Sequence, residues 1–249
     1  MPGVSDQAIR RLRLGSGVVL FAYILSHLVN HALGAISLDH AEAGLRLAMR
    51  LWHSRPGTVL LYGAAVIHVA LALRTVFLRR HWRLPVIEIL RIASGFSLPL
   101  LLIGHVVATR LTLTLFDVPQ SYGRTVSNLA ASGNEGWQLA LLAPGWIHGC
   151  LGLWITLRRS AWAQKVRGLL VAAVVALPAA AALGFYRMLE EAARQPLVGA
   201  LPAPSDSTLL GAWQSSLTRS YIILVVAALV GGQIYQRWVV RRDNDNRSS

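Results

Sequence analysis

Long apolar runs alternate with short polar segments along the chain. Six apolar runs, each about 20 residues long, lie at about 14–36, 57–78, 92–116, 137–157, 168–186 and 220–240. A helix of ~20 residues is long enough to cross the ~30 Å hydrocarbon layer of a membrane. The pattern predicts an all-α polytopic membrane protein in which residues 1–249 form one domain with six transmembrane helices.

Two polar segments complete the predicted organisation. Residues 187–219 contain Pro196, Pro202 and Pro204 followed by small polar residues, which is typical of an irregular loop. We expect this loop to be extracytoplasmic. Residues 241–249 are a polar cytoplasmic tail that is too short for a further domain.

The charges agree with a membrane protein and give its orientation. Only 14% of the residues are charged, although the formal net charge is +13. Fourteen Lys and Arg residues flank the runs on one side and seven on the other. Cytoplasmic loops carry this excess, so both termini are predicted to be cytoplasmic. The basic residues form no single patch, which excludes a nucleic-acid partner, and the apolar content excludes a soluble enzyme.

Ionisable residues inside apolar spans are costly and are candidate functional residues. The spans contain no Asp or Glu, which argues against an acid-based proton relay and a cation-driven transporter. The ionisable residues they do contain are His27, His31, His68, Arg74, His105, Arg110, His148 and Arg237. The only cysteine is Cys150, so any iron–sulfur or flavin chemistry must come from a partner.

Four of these histidines form two pairs by depth. His27 lies 14 residues after Arg13, and His105 lies 14 residues after Arg91. His68 and His148 lie 11 and 10 residues before Arg79 and Arg158. Facing imidazoles in a four-helix bundle are typical of bis-histidine haem ligation. We therefore predict two b-type haems in a bundle of the first four spans, with two additional helices. The alternative is that the histidines are structural hydrogen-bonding residues of a haem-free scaffold or transporter.

The remaining polar residues of the spans suit haem propionates. Arg74 lies six residues from His68 toward the cytoplasmic side, and Arg110 lies five residues beyond His105 toward the outside. Each arginine is assigned to the propionates of its nearest haem. Asn30 and His31 are predicted as further polar contacts of the haem held by His27 and His105, which we call the outer haem. We assign no catalytic residue.

Several segments resemble the dihaem cytochrome b subunits of succinate dehydrogenases and fumarate reductases. A closer resemblance is to the six-helix version that serves as the N-terminal membrane anchor of certain bacterial adenylate cyclases. The resemblance covers about residues 10–240 and is carried by Ser26–Gly34, His68–Arg74, His105–Arg110 and His148–Leu153. The cyclases continue into a ferredoxin-like domain and a cyclase domain, which this sequence does not contain.

The resemblance implies a location in the bacterial inner membrane and electron exchange with quinone or quinol. It also implies one of two outputs. The haems report to an adenylate cyclase module, attached or separate, or they pass electrons to a flavin and iron–sulfur partner. In either case the chain is not a complete enzyme alone. Membrane lipid is an expected partner, and a homodimer is left open.

Overall fold

The computed structural model describes residues 5–133, 135–194 and 204–248. Within these ranges the chain consists of helices joined by short turns and loops, and it has no strand. One turn, Val107–Leu111, is π-helical. The helices are α1 (Asp6–Leu33), α2 (Leu38–Trp52), α3 (Arg55–Phe77), α4 (Val86–Val106), α5 (Thr112–Phe116), α6 (Tyr122–Ser132), α7 (Glu135–Leu157), α8 (Ala161–Lys165), α9 (Arg167–Ala193) and α10 (Pro204–Ser248).

Among the described residues, six helices are long and apolar enough to cross a membrane. They are α1, α3, α4 with its continuation to Phe116, α7, α9 and the Asp206–Val239 part of α10. Large apolar side chains lie on their outer surfaces: Val59, Val86 and Leu169 are each more than 70% exposed. Such a surface is stable against lipid and costly in water. The prediction of an all-helical membrane protein with six spans is confirmed to this extent.

The first four of these helices pack together, and the last two flank them. α1 contacts α3 and α7, and α4 contacts α7. α9 packs against α1 and α7, whereas α10 packs against α3 and α4. Where α9 crosses α1, a Cβ added at Gly184 would overlap the backbone carbonyl oxygen of His31. The absence of a side chain at Gly184 therefore allows this close approach.

Two shorter helices, α2 and α6, cover one end of the molecule. Leu38, Ala41, Tyr122, Val126, Phe185, Met188 and Ala192 form a buried cluster that joins α2 and α6 to α9. Glu42 of α2 accepts hydrogen bonds from Ser121 Oγ (2.7 Å) and the amide of Gly123 (3.0 Å) at the start of α6. A carboxylate at a helix N-terminus is favourable because it satisfies unpaired amides and opposes the helix dipole. We call the end of the molecule formed by α2 and α6 the covered end.

The structure corrects the prediction of an irregular segment over 187–219. α9 continues to Ala193, and α10 already begins at Pro204. Proline is suited to the first turn of a helix, where its missing N–H costs nothing, and Asp206 adds a favourable negative charge there. The turn-forming composition that predicted a loop is thus also the composition of a helix start. Residues 195–203 lie outside the described residues.

The predicted polar tail is also helical, because α10 continues to Ser248. Once the apolar part of α10 is helical, each residue added at its end forms a further backbone hydrogen bond. A polar segment can therefore extend the helix without apolar side chains.

Candidate functional site

Two pairs of histidines meet between the four packed helices. His27 of α1 and His105 of α4 have ring centroids 5.9 Å apart and ring planes at 76°. His68 of α3 and His148 of α7 have centroids 6.0 Å apart and planes at 89°. All four side chains are half-buried. The structure thus brings together the same two pairs that depth along the spans predicts.

The separation within each pair suits one metal ion between the rings. Metal–imidazole bonds are ~2 Å long and each ring centre lies ~1 Å behind its nitrogen, which gives about 6 Å between centroids. No group of three or more His, Cys, Asp or Glu residues in the described parts of the chain is arranged to hold a metal ion. Each pair therefore offers two ligands, which suits a metal whose remaining ligands come from a cofactor.

Hydrogen bonds fix the proton position in two of the rings. His148 Nδ1 lies 2.9 Å from the carbonyl oxygen of Arg91, and His105 Nδ1 lies 3.0 Å from Gln138 Oε1. A carbonyl oxygen can only accept, so Nδ1 is the donor in both cases. In the neutral ring the lone pair is then on Nε2, which is the form that binds a metal.

The third ring is fixed through a serine. Ser16 Oγ donates to the carbonyl oxygen of Arg13 at 3.1 Å and lies 3.1 Å from His68 Nδ1. While it donates to the Arg13 carbonyl, Ser16 Oγ can accept from the Nδ1–H of His68. In that arrangement the lone pair of His68 is on Nε2. A partner that holds the distal N–H is typical of a metal-ligating histidine.

Two glycines make room for the rings of the α3–α7 pair. A Cβ added at Gly95 would lie 2.6 Å from His148 Cε1, and one at Gly17 would lie 3.2 Å from His68 Cε1. The first distance is shorter than any normal carbon–carbon contact. Only glycine at position 95 is compatible with this position of the His148 ring.

The surroundings of His27 are different, because its Nε2 lies 3.2 Å from His31 Nε2. His31 Nδ1 and Asn30 Oδ1 are buried atoms that have no hydrogen-bond partner in the part of the chain that the structure describes. Asn30 Nδ2 donates to the hydroxyl of Tyr122 at 3.1 Å. Unsatisfied buried polar atoms are costly and rare. This polar cluster at the covered end is therefore suited to the polar groups of a ligand.

Arg74 is exposed in the last turn of α3 and is one of three arginines near the α3–α7 pair. Arg13 donates to Thr75 Oγ1, next to Arg74, at 2.7 Å. The carbonyl oxygen of Arg91 lies 2.9 Å from His148 Nδ1, and Arg91 NH2 lies 3.7 Å from Glu88 Oε1. The three arginines lie on the side of the histidine pairs opposite α2 and α6.

Arg110 lies in the π-helical turn, beyond His105. It is half-buried, and one of its terminal nitrogens lies 3.4 Å from Thr58 Oγ1. Burial lowers the pKa of His53, and the nearby Arg110 guanidinium lowers it further. The structure thus places Arg110 beside the start of α3 and forms no hydrogen bond between it and the histidine pairs.

Sequence reasoning missed the residues that orient the rings. The amide of Gln138 inside a predicted apolar span is a signal that could have been used. Ser16 and Gly95 are small residues of a kind that is common in membrane helices, and the Arg91 carbonyl has no sequence signal. From the sequence, Arg13 and Arg91 are only charges at the ends of two spans.

Comparison with protein-family models, with curated proteins and with solved structures gives no match. The fold and the site define an all-helical protein of the membrane class with two cross-helix histidine pairs.

Proposed function

We propose that the chain is a dihaem b-type cytochrome anchor that exchanges electrons with the quinone pool. The proposal is supported by two pairs of imidazole rings, each pair formed between two helices. The ring centroids are 5.9 Å apart in one pair and 6.0 Å apart in the other. Haem supplies a one-electron iron couple when it is bound. His27 and His105 would hold one haem and His68 and His148 the other.

The chain's own residues prepare three of the four ligands. Ser16, Gln138 and the Arg91 carbonyl hold the Nδ1–H of His68, His105 and His148 and so present each Nε2 lone pair. This fixes the tautomer before a metal binds and raises the basicity of the ligand nitrogen. His27 would hold the haem iron through Nε2, which lies 3.2 Å from His31 Nε2. His31 would then need another hydrogen-bond partner.

Polar residues near each pair would meet the propionates. Arg13, Arg74 and Arg91 supply positive charge near His68 and His148. Near the other pair, Asn30 and His31 supply buried polar atoms that have no hydrogen-bond partner among the described residues. A contact of Arg110 with the propionates of the haem at His27 and His105 stays a prediction, because the hydrogen bond of Arg110 is with Thr58.

The propionate proposal predicts a change in potential. Arg13→Leu and Arg74→Leu should each lower the midpoint potential of the haem at His68 and His148, because loss of a positive charge favours the oxidised iron. Two charges about 10 Å apart interact by ~1.7 kcal/mol at an effective dielectric near 20, which corresponds to tens of millivolts. The half-buried Arg13 should have the larger effect, since solvent screens the exposed Arg74.

A redox titration of the full chain measures both potentials separately. Arg80→Leu removes an exposed arginine of the same end and serves as the control for net charge. Unchanged potentials in Arg13→Leu and Arg74→Leu, with full haem content, would show that these arginines do not contact propionates.

Location and output form part of the proposal. Six crossings would put both termini on the same side of the membrane. The excess of Lys and Arg in the loops on that side supports a cytoplasmic location of both termini in a bacterial inner membrane. One cysteine cannot hold an iron–sulfur cluster. The resemblance to cyclase anchors and to succinate dehydrogenase subunits implies that the redox state or the electrons would pass to a cyclase module or to a flavin and iron–sulfur partner.

Orientation is tested by a reporter fused after Ser249. A reporter that is active only in the cytoplasm should give a signal, and one that is active only in the periplasm should not. Periplasmic activity would contradict six crossings with a cytoplasmic N-terminus. A second fusion in the loop between α3 and α4 serves as the control, since this loop is predicted to be cytoplasmic as well.

Electron exchange with quinone is tested by adding a water-soluble quinol to the oxidised, purified protein. Rapid appearance of the reduced b-type absorption bands is expected. If dithionite reduces the protein but quinols of both benzoquinone and naphthoquinone type do not, the quinone part of the proposal is wrong.

A further inference from the structure

A groove opens on the outer surface between α3, the π-helical turn and α10. Its volume is about 330 Å³, and its lining includes Tyr62, Val106, Arg110, Thr114, Trp213 and Leu217. Trp213 is 44% exposed and Leu217 is 38% exposed. The groove is therefore accessible from the surface that faces lipid in a protein with these apolar helices.

Arg110 is the only charged residue of this lining. Its guanidinium has one hydrogen bond, the long 3.4 Å contact with Thr58 Oγ1, and it forms no ion pair within the described ranges. A positive charge among apolar side chains is costly without a counter-charge. The groove is thus complementary to a molecule with an anionic head and an apolar body.

The level of Arg110 along its helix favours a lipid headgroup as the anion. Arg110 lies 19 residues after Arg91, or about 28 Å along a helix with a rise of ~1.5 Å per residue. The hydrocarbon layer is ~30 Å thick, so the guanidinium reaches the level of the lipid headgroups. Tyr62 and Trp213 are of the aromatic type that is enriched at this boundary.

We propose that the groove binds one anionic phospholipid. Its phosphate contacts Arg110, and one acyl chain lies along Val106 and Leu217. Arginine is suited to this contact because its planar donors match phosphate oxygens. The π-helical turn contributes by changing the helical register between His105 and Arg110, which directs Arg110 into the groove. The proposal is independent of haem binding.

Native mass spectrometry of the full chain in a neutral detergent tests the proposal. The probes are dioleoyl phosphatidylglycerol and dioleoyl phosphatidylcholine, which have the same acyl chains and differ in net charge. We expect one phosphatidylglycerol per chain to bind more tightly than phosphatidylcholine. Arg110→Leu should weaken phosphatidylglycerol binding about tenfold or more, and Arg110→Lys less. Arg219→Leu, which removes an exposed arginine of α10, should have no effect.

A second variant tests the groove while Arg110 is retained. Thr114→Trp should fill the groove and weaken phosphatidylglycerol binding, with helix content by circular dichroism as the check on folding. Equal binding of the two lipids, or unchanged phosphatidylglycerol binding in both Arg110→Leu and Thr114→Trp, would overturn the proposal. If Arg110→Leu leaves lipid binding unchanged and lowers the potential of the haem at His27 and His105, Arg110 contacts the propionates and the lipid proposal is wrong. Displacement of phosphatidylglycerol by a short-chain quinone at equal concentration would assign the groove to quinone.

Discussion

Replacing His68 or His148 with alanine should remove one of two haems and leave the other intact. Replacing His27 or His105 should remove the second haem instead. The reason is that each pair joins its own two helices, with centroids 5.9 Å apart in one pair and 6.0 Å apart in the other. Each iron would lose one of its two protein ligands, and the remaining imidazole alone holds haem much more weakly. The measurement is the haem-to-protein ratio of each purified variant, together with a redox titration that shows which potential remains.

The control variants are His40→Ala and His81→Ala, because both histidines lie outside the long apolar helices and are exposed. They should keep both haems. His31→Ala should also keep both irons ligated, since His31 contacts His27 rather than forming the cross-helix pair. Loss of the same haem from variants of His27 and His148 would contradict the assignment of the pairs.

Gly95→Ala should have nearly the same effect as removing His148. A new Cβ would lie 2.6 Å from Cε1 and 2.7 Å from Nδ1 of the His148 ring, where ordinary contacts are 3.4–4 Å. The ring must therefore move by close to 1 Å, and such a movement breaks its hydrogen bond to the Arg91 carbonyl. Since Arg91 lies one turn before Gly95 on the same helix, α4 cannot shift away from the ring and keep this bond. We expect loss of most haem at the α3–α7 pair and full haem at the other pair.

Gly152→Ala is the matched control, because Gly152 lies one turn after His148 on α7 and a Cβ there would meet nothing within 4 Å. It should keep both haems with unchanged potentials. If Gly95→Ala also does so, His148 is not held in the position described, and the α3–α7 site loses its main steric support.

The helices were the most predictable part of the fold, because lipid imposes a minimum apolar length on each span. The ends were less predictable. The first apolar run begins at about residue 14, whereas α1 already begins at Asp6 and includes Arg10 and Arg11. Helix boundaries depend on caps and packing, which hydropathy does not measure.

The histidine pairs could be predicted from depth along the spans alone, since residues at equal depth on facing helices can meet. His27 and His31 show where this argument ends. The two residues lie one turn apart on α1. Counting residues pairs His27, and not His31, with His105 only if the rise per residue is the same in both helices. The partners of Nδ1 could not be predicted in this way. Ser16 and the Arg91 carbonyl reach the rings through lateral packing of particular helices, and packing is specified by side-chain shape across the whole bundle.

The most direct test of the central claim is the haem content of the purified full chain. The protein is expressed in a haem-producing host, extracted in a neutral detergent, and its haem b is quantified as the pyridine complex against protein from amino-acid analysis. Two haems per chain are expected, with the reduced and oxidised absorption spectra of low-spin bis-histidine iron. A ratio of one would contradict one of the two sites. A folded, helical protein that contains no haem would contradict the account as a whole and would favour a membrane scaffold or transporter in which the histidines are structural.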